Sequence, residues 1–286
     1  MLSTARYGQD RFVQVKGYRL HYVEVGAGAP VILVPGSFST YRAWNRLIPL
    51  LADRYRLLAL DYLGTGDSDK PKTGFTYTVQ EQADLIAQMI QELDLGRANL
   101  IGASYGGAIV LNLPAHYPDR VNKVVSIEGG IVRPKELPAS PLEFAFRYPV
   151  IGDFVVLLIK TGLLTGLVAK TVAGKWYPHM SAQDKQEMWE QQRDNSRSAA
   201  RIPWYWISVS NRTCEDFEGA AKAMLVPILY LYGKESDFAT MLVEPNVRFL
   251  ETYLPQTRIV GLEGGIHDLE FQQPRQVADL VLEFLG

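Results

Sequence analysis

The stretch ANLIGASYGGAIVLNL, residues 98–113, decides how this chain is read. Its opening residues form a short apolar run of the kind a strand buried on both faces requires, and its second half continues as an apolar helix. Between the two stands Gly102-Ala103-Ser104-Tyr105-Gly106, a G-x-S-x-G pattern in the strand-turn-helix setting that gives the pattern chemical meaning. Small flanking residues let the backbone turn sharply at Ser104. Its hydroxyl then stands exposed while the next N–H groups point at a developing oxyanion. The bland alternative is a glycine-rich turn with an incidental serine.

Working outward, apolar runs recur at 31–34, 55–60, 98–102, 124–127, 227–232 and 257–262, mostly separated by helix-length segments. Such alternation implies right-handed crossovers and a parallel sheet with helices on both faces. Residues 11–25 alternate around Lys16-Gly17 and read as an antiparallel hairpin. Thr78 with Glu81 three residues on is a capping-box signature, and Val79, Ala83, Ile86, Met89, Ile90 and Leu93 follow at helical spacing, predicting about four turns. The expected fold class is α/β: a mostly parallel eight-stranded sheet flanked by helices. The alternation lapses between 131 and 221, too long a stretch for a loop. The expected organisation is therefore a core of residues 1–130 and 222–286 with a helical cap at 131–221, carrying the aromatics Trp176, Tyr177, Trp204, Tyr205 and Trp206.

The chain has 286 residues, a formal net charge of −2 and no basic run, which argues against a nucleic-acid partner. One cysteine, Cys214, excludes an internal disulfide and any Cys/His zinc spacing, so neither metal nor cofactor is expected and a reducing, cytoplasmic location fits. The N-terminus lacks the apolar segment of a secretory signal. Phe154 to Val168 is Leu- and Val-rich but interrupted by Lys160 and two glycines, too short for an integral span. It reads either as buried or site-covering helices, or as an interfacial membrane contact. A monomer or homodimer is expected.

A serine hydroxyl is a weak nucleophile until a base takes its proton, and the chain has four histidines. His21 lies on the hairpin, His116 a helix length from Ser104, and His179 in the expected cap. His267 follows the last strand, the position where a Ser–acid–His chain order places the base. For the acid that orients the imidazole, Asp237 after the run PILYLY is the first choice and Glu128 after VVSI the alternative, with Glu235 a distant third. The oxyanion donors expected are the amides of Tyr105 and Ser37, or Phe38 if the register slips by one. The Gly-x-Gly of LGTGDSD lacks the remaining elements of a phosphate loop and reads as a structural turn.

Together these segments resemble the α/β-hydrolase superfamily, in particular the branch of haloalkane dehalogenases, epoxide hydrolases and C–C bond hydrolases. PGSFSTYRAWNRLIPLLADRYRLLALDYLGTGDSDKP is similar to that branch's oxyanion segment and Asp-x-x-Gly-x-Gly-x-Ser turn, and GIHDLEFQQPRQVADLVLEFL to its histidine loop and last helix. The resemblance maps nucleophile, base and acid onto Ser104, His267 and Asp237, with Glu128 at the acid position some dehalogenases use. Two departures stand out. Dehalogenases and epoxide hydrolases carry an Asp nucleophile where this chain has Ser104, and Pro35 replaces the usual His before Gly36.

The function expected is a serine hydrolase, carboxylesterase-like, cleaving a small-to-medium apolar ester through an acyl-enzyme on Ser104. Alternatives are a C–C bond (diketone) hydrolase with the same triad, a non-catalytic ligand-binding homologue, and cofactor-free oxygenation or peroxide chemistry. The partner expected is a small-molecule substrate.

Overall fold

A computed structural model describes residues 8–132, 139–212 and 218–286. Its sheet has eight strands: β1 (Gln9–Val15), β2 (Tyr18–Val25), β3 (Ala29–Val34), β4 (Tyr55–Asp61), β5 (Ala98–Ala103), β6 (Val121–Ile127), β7 (Ile228–Gly233) and β8 (Arg258–Leu262), in the spatial order β1-β2-β4-β3-β5-β6-β7-β8. The β1–β2 and β2–β4 pairs are antiparallel and all others parallel. The hairpin turns on Lys16 and Gly17, both at positive φ (49° and 84°), which matches the twist of the strands on either side. β5 is buried along its whole length, as its unbroken apolar run demanded.

The described helices are α1 (Ile48–Leu51), α2 (Val79–Glu92), α3 (Tyr105–His116), α4 (Pro141–Arg147), α5 (Pro149–Thr161), α6 (Thr165–Ala173), α7 (Ala182–Arg197), α8 (Arg201–Arg212), α9 (Glu218–Ala221), α10 (Glu244–Tyr253), α11 (Leu269–Gln272) and α12 (Pro274–Leu285). The capping box of α2 forms as its sequence required. Thr78 Oγ1 accepts from the Glu81 amide at 3.1 Å, and Glu81 Oε2 accepts from the Thr78 amide at 3.2 Å. Two apolar layers result. One face of the sheet packs Ile32, Leu58 and Leu100 against Ile86 of α2 and Ile109 of α3. The other packs Leu33, Ile101 and Leu229 against Trp44, Leu51 of α1 and Val281 of α12. Each large aliphatic side chain buried this way stabilises the fold by roughly 1.5–3 kcal/mol.

Because β3 and β5–β8 run parallel, their carboxyl ends share one edge, where open α/β sheets place their ligands. Helices α4 to α9 intervene between β6 and β7. Trp204 of α8 is buried against Phe146 of α4, ring centroids 6.1 Å apart. The turn after β4 is structural. Gly66 sits at φ 48°, where a Cβ would overlap the Asp61 carboxylate, which accepts from the amides of Tyr41 at 2.8 Å and Asp67 at 3.0 Å. His21 is spent on the same brace, with Nδ1 2.7 Å from Asp61 and Nε2 3.1 Å from Asp10.

Candidate active site

Ser104 joins β5 to α3 at φ 52° and ψ −116°, a conformation an L-residue adopts only when its surroundings enforce it. Close packing does so here. A Cβ on Gly102 would lie 2.3 Å from the Gly106 carbonyl oxygen, and one on Gly106 would lie 2.1 Å from that of Val34. The two glycines of the pattern therefore let strand, elbow and helix approach one another. The Ser104 amide donates to the Ile127 carbonyl at 2.8 Å. Ala103 and Ile127 are register partners, so Ser104 and Glu128 step off neighbouring strands side by side.

Glu128 is fully buried and also at positive φ, 46°. Its Oε1 accepts from the Gly233 amide at 2.8 Å, and its Oε2 from the Ser236 hydroxyl at 2.8 Å. The same Oε2 lies 2.5 Å from His267 Nδ1. Gly233 makes this possible. A Cβ there would meet the Gly265 carbonyl oxygen at 2.3 Å, so the ends of β7 and the His267 loop close only around glycine. The loop is tied down by the Ile266 amide, which donates to Gln272 Oε1 at 2.8 Å.

The expectation that Asp237 orients His267 is corrected by this geometry. Ser236 turns inward to Glu128, and its neighbour Asp237 faces away, its carboxylate 2.7 Å from Lys175 Nζ. No hydrogen bond joins Asp237 to the imidazole. The acid on His267 is Glu128, the alternative at the end of β6.

Burial pulls the pKa of His267 down, but the hydrogen bond and charge of Glu128, with Asp268 and Glu270 adding to them, outweigh it and push the imidazole up to about 9. Asp268 and Glu270 are residues the sequence reading missed. Both carboxyls are shifted upward, first by burial, and Asp268's charge raises Glu270 further. Asp268 Oδ2 and Glu270 Oε2 have no hydrogen-bond partner among the described residues. A helix-start pattern, HDLEF, was the only signal available, and it does not reveal burial.

The turn after β3 lies against the elbow, since a Cβ on Gly36 would be 3.4 Å from Ser104 Cβ. Ser37 is the next residue, and Tyr105 opens α3, its amide at the positive end of the helix dipole. Phe38, the alternative donor, is corrected: its amide already donates to the Tyr62 hydroxyl at 3.1 Å. That hydroxyl in turn donates to the Gly36 carbonyl at 3.0 Å. Tyr62, fully buried, thus braces the turn in which Pro35 stands. Helices of the insertion press on the same region. Phe38 packs on Trp204 with centroids 4.8 Å apart, and Thr40 Oγ1 donates to Asn195 Oδ1 at 2.8 Å. Arg46 bonds Asp184 and Glu187 of α7 at 2.6 and 2.7 Å and the Phe271 carbonyl at 2.9 Å. Among the described residues no group of three His, Cys, Asp or Glu side chains could hold a metal ion.

A sequence profile described as the alpha/beta hydrolase fold matches residues 29–265. The soluble epoxide hydrolase of Corynebacterium sp. (strain C12) is 31% identical over 291 residues, covering 95% of each chain. The bifunctional epoxide hydrolase 2 of Rattus norvegicus is 23% identical over 312 residues, which cover 96% of this chain but only 55% of that relative. The chain thus spans about half the length of that curated relative. Among solved structures, the enol-lactonase from Burkholderia xenovorans LB400 matches with a TM-score of 0.76 at 20% identity, over 96% of this chain and 99% of that one. At such identity the likeness speaks for the fold alone.

Proposed function

The chain belongs to the α/β-hydrolase fold family, and from that premise we propose that it is a serine hydrolase acting on an apolar carboxylic ester. Ser104 Oγ attacks the ester carbonyl while His267 takes its proton through Nε2, the nitrogen left to it when Glu128 holds Nδ1. The negative charge on the former carbonyl oxygen is met by the amides of Tyr105 and Ser37. The imidazolium returns its proton to the departing alkoxide, leaving Ser104 acylated. Water, deprotonated by His267, then attacks the acyl carbon, releases the acid and restores the serine.

The observation that carries this reading is the imidazole seated by Nδ1 on a buried acid at the strand edge where the strained elbow presents Ser104. Chemistry argues against transferring the epoxide reaction from the relatives' names. A serine opening an epoxide would form an ether, which water does not cleave as it cleaves an ester, so turnover would stop at the alkyl-enzyme. The aromatic pair Phe38 and Trp204 beside the site supports an apolar substrate.

The experiment is labelling with a fluorophosphonate probe, followed by a panel of p-nitrophenyl esters of increasing chain length and a vinylogous diketone. Labelling of wild type that vanishes in Ser104→Ala, with turnover of esters, is the expected result. A folded wild-type protein that takes no label overturns the reading, and turnover of the diketone alone replaces it with C–C cleavage.

A further inference from the structure

The insertion wears much of its apolar surface on the outside. On α5, Gly152, Val156 and Ile159 face the protein, while Val150, Phe154 and Leu157 stand exposed, Val150 at 84%. Spaced at i, i+4 and i+7, they form one outward stripe. Tyr148 before it, and Leu163 and Leu167 beyond the left-handed Gly162 that ends the helix, extend the apolar exposure along the chain. Contiguous exposed apolar surface of this kind marks a contact that the isolated chain does not make.

Charge identifies the occupant. Arg147, Lys160 and Lys170 are exposed on the same segment, and no carboxylate of the described residues lies within ion-pair distance of any of them. Of the segment's two acids, Asp153 is paired with Arg201 at 3.0 Å and Glu143 is buried. A second copy docked symmetrically would bring these cations against their own kind, an arrangement that costs association energy. A surface of anionic lipid headgroups offers the opposite charge, with lysine stems lying along the apolar stripe and their ammonium groups at headgroup level.

The helix geometry fits the same occupant. No single described helix is long and apolar enough to cross a membrane, but Pro149–Thr161 and Thr165–His179 reach the hydropathy of a span when taken together. They are bent by 89°. A pair so bent, with lysines interrupting it, suits lying in the interface and not passing through it.

We propose that the outward face of α4 to α6 is a docking surface for an anionic lipid membrane, which it enters peripherally through the α5 stripe. The inference does not depend on the hydrolase reading, because binding is measured without turnover. The test is co-flotation of the full chain with vesicles of pure phosphatidylcholine and of equal parts phosphatidylcholine and phosphatidylglycerol. Wild type should float with the anionic vesicles at least tenfold more than with the neutral ones, and lose most of that advantage at 1 M salt, where the Debye length is about 3 Å. The pair Val150→Glu with Leu157→Glu should lose at least tenfold on anionic vesicles, and Lys160→Gln with Lys170→Gln should lose about tenfold there alone. All four positions are exposed, so unchanged melting curves serve as the folding control. Wild type that floats with neither vesicle, or variants that float as well as wild type, overturn the proposal. So does a dimer in sedimentation velocity that Val150→Glu abolishes, which would assign the face to a second copy.

Discussion

The carboxyl edge of the sheet and the helical insertion follow opposite rules. At the edge, a fully buried carboxylate is satisfied by three donors, from Gly233, Ser236 and His267, and the strands close around glycines. In the insertion, long aliphatic and aromatic side chains face outward and the polar groups of α7 face the core. The two regions thus depart from simple burial of apolar groups in opposite senses: the edge buries charge and holds it at fixed places, and α5 and α6 leave part of their apolar surface exposed.

Substitutions at the edge should break function by large factors. Ser104→Ala should lower kcat/KM for a p-nitrophenyl ester by at least ~10³, with no change in melting temperature beyond a few degrees. Glu128→Gln should cost roughly 10²–10⁴ in the same assay, while Asp237→Asn, which frees only an exposed pair with Lys175, should stay within a few-fold of wild type. A stability contrast sharpens the difference between the regions. Ile109→Ala on α3 should lower unfolding stability by roughly 2–5 kcal/mol in urea titration, whereas Leu157→Ala on the exposed stripe should fall within about 0.5 kcal/mol. A moderate effect is expected of Tyr62→Phe, which removes the brace between Gly36 and Phe38. It should lower kcat by roughly tenfold with KM unchanged, because the oxyanion turn loses its fixed position and the substrate pocket does not.

The mostly parallel sheet and the elbow were legible because apolar runs, the capping box at Thr78 and the G-x-S-x-G spacing each act locally and all point to one fold. That His267 lies in a loop after the last strand was legible from chain order. The acid was not, since both Asp237 and Glu128 follow strands and the choice turns on which side of the β7 loop faces inward. Ser236 takes the inward position, and a neighbouring residue then faces away. Asp268 and Glu270 were hidden for a related reason: carboxylates at a helix start ordinarily face solvent, and only the packing of the His267 loop shows Glu270 buried and one carboxyl oxygen of the half-buried Asp268 shielded from water. The insertion was readable as helical, but a pattern rich in Leu and Val does not say which face is covered.

The dependence of kcat/KM on pH tests the pairing of His267 with Glu128 most directly. His267 must be neutral to accept the Ser104 proton, and a pKa raised to about 9 means that the imidazolium predominates at neutral pH. Activity should therefore climb about tenfold per pH unit and level off near pH 9 in wild type and in Asp237→Asn alike. In Glu128→Gln the same limb should move to lower pH, toward the ordinary histidine value, at a much reduced plateau. A limb that shifts in Asp237→Asn and stays put in Glu128→Gln would contradict the pairing on which the mechanism depends.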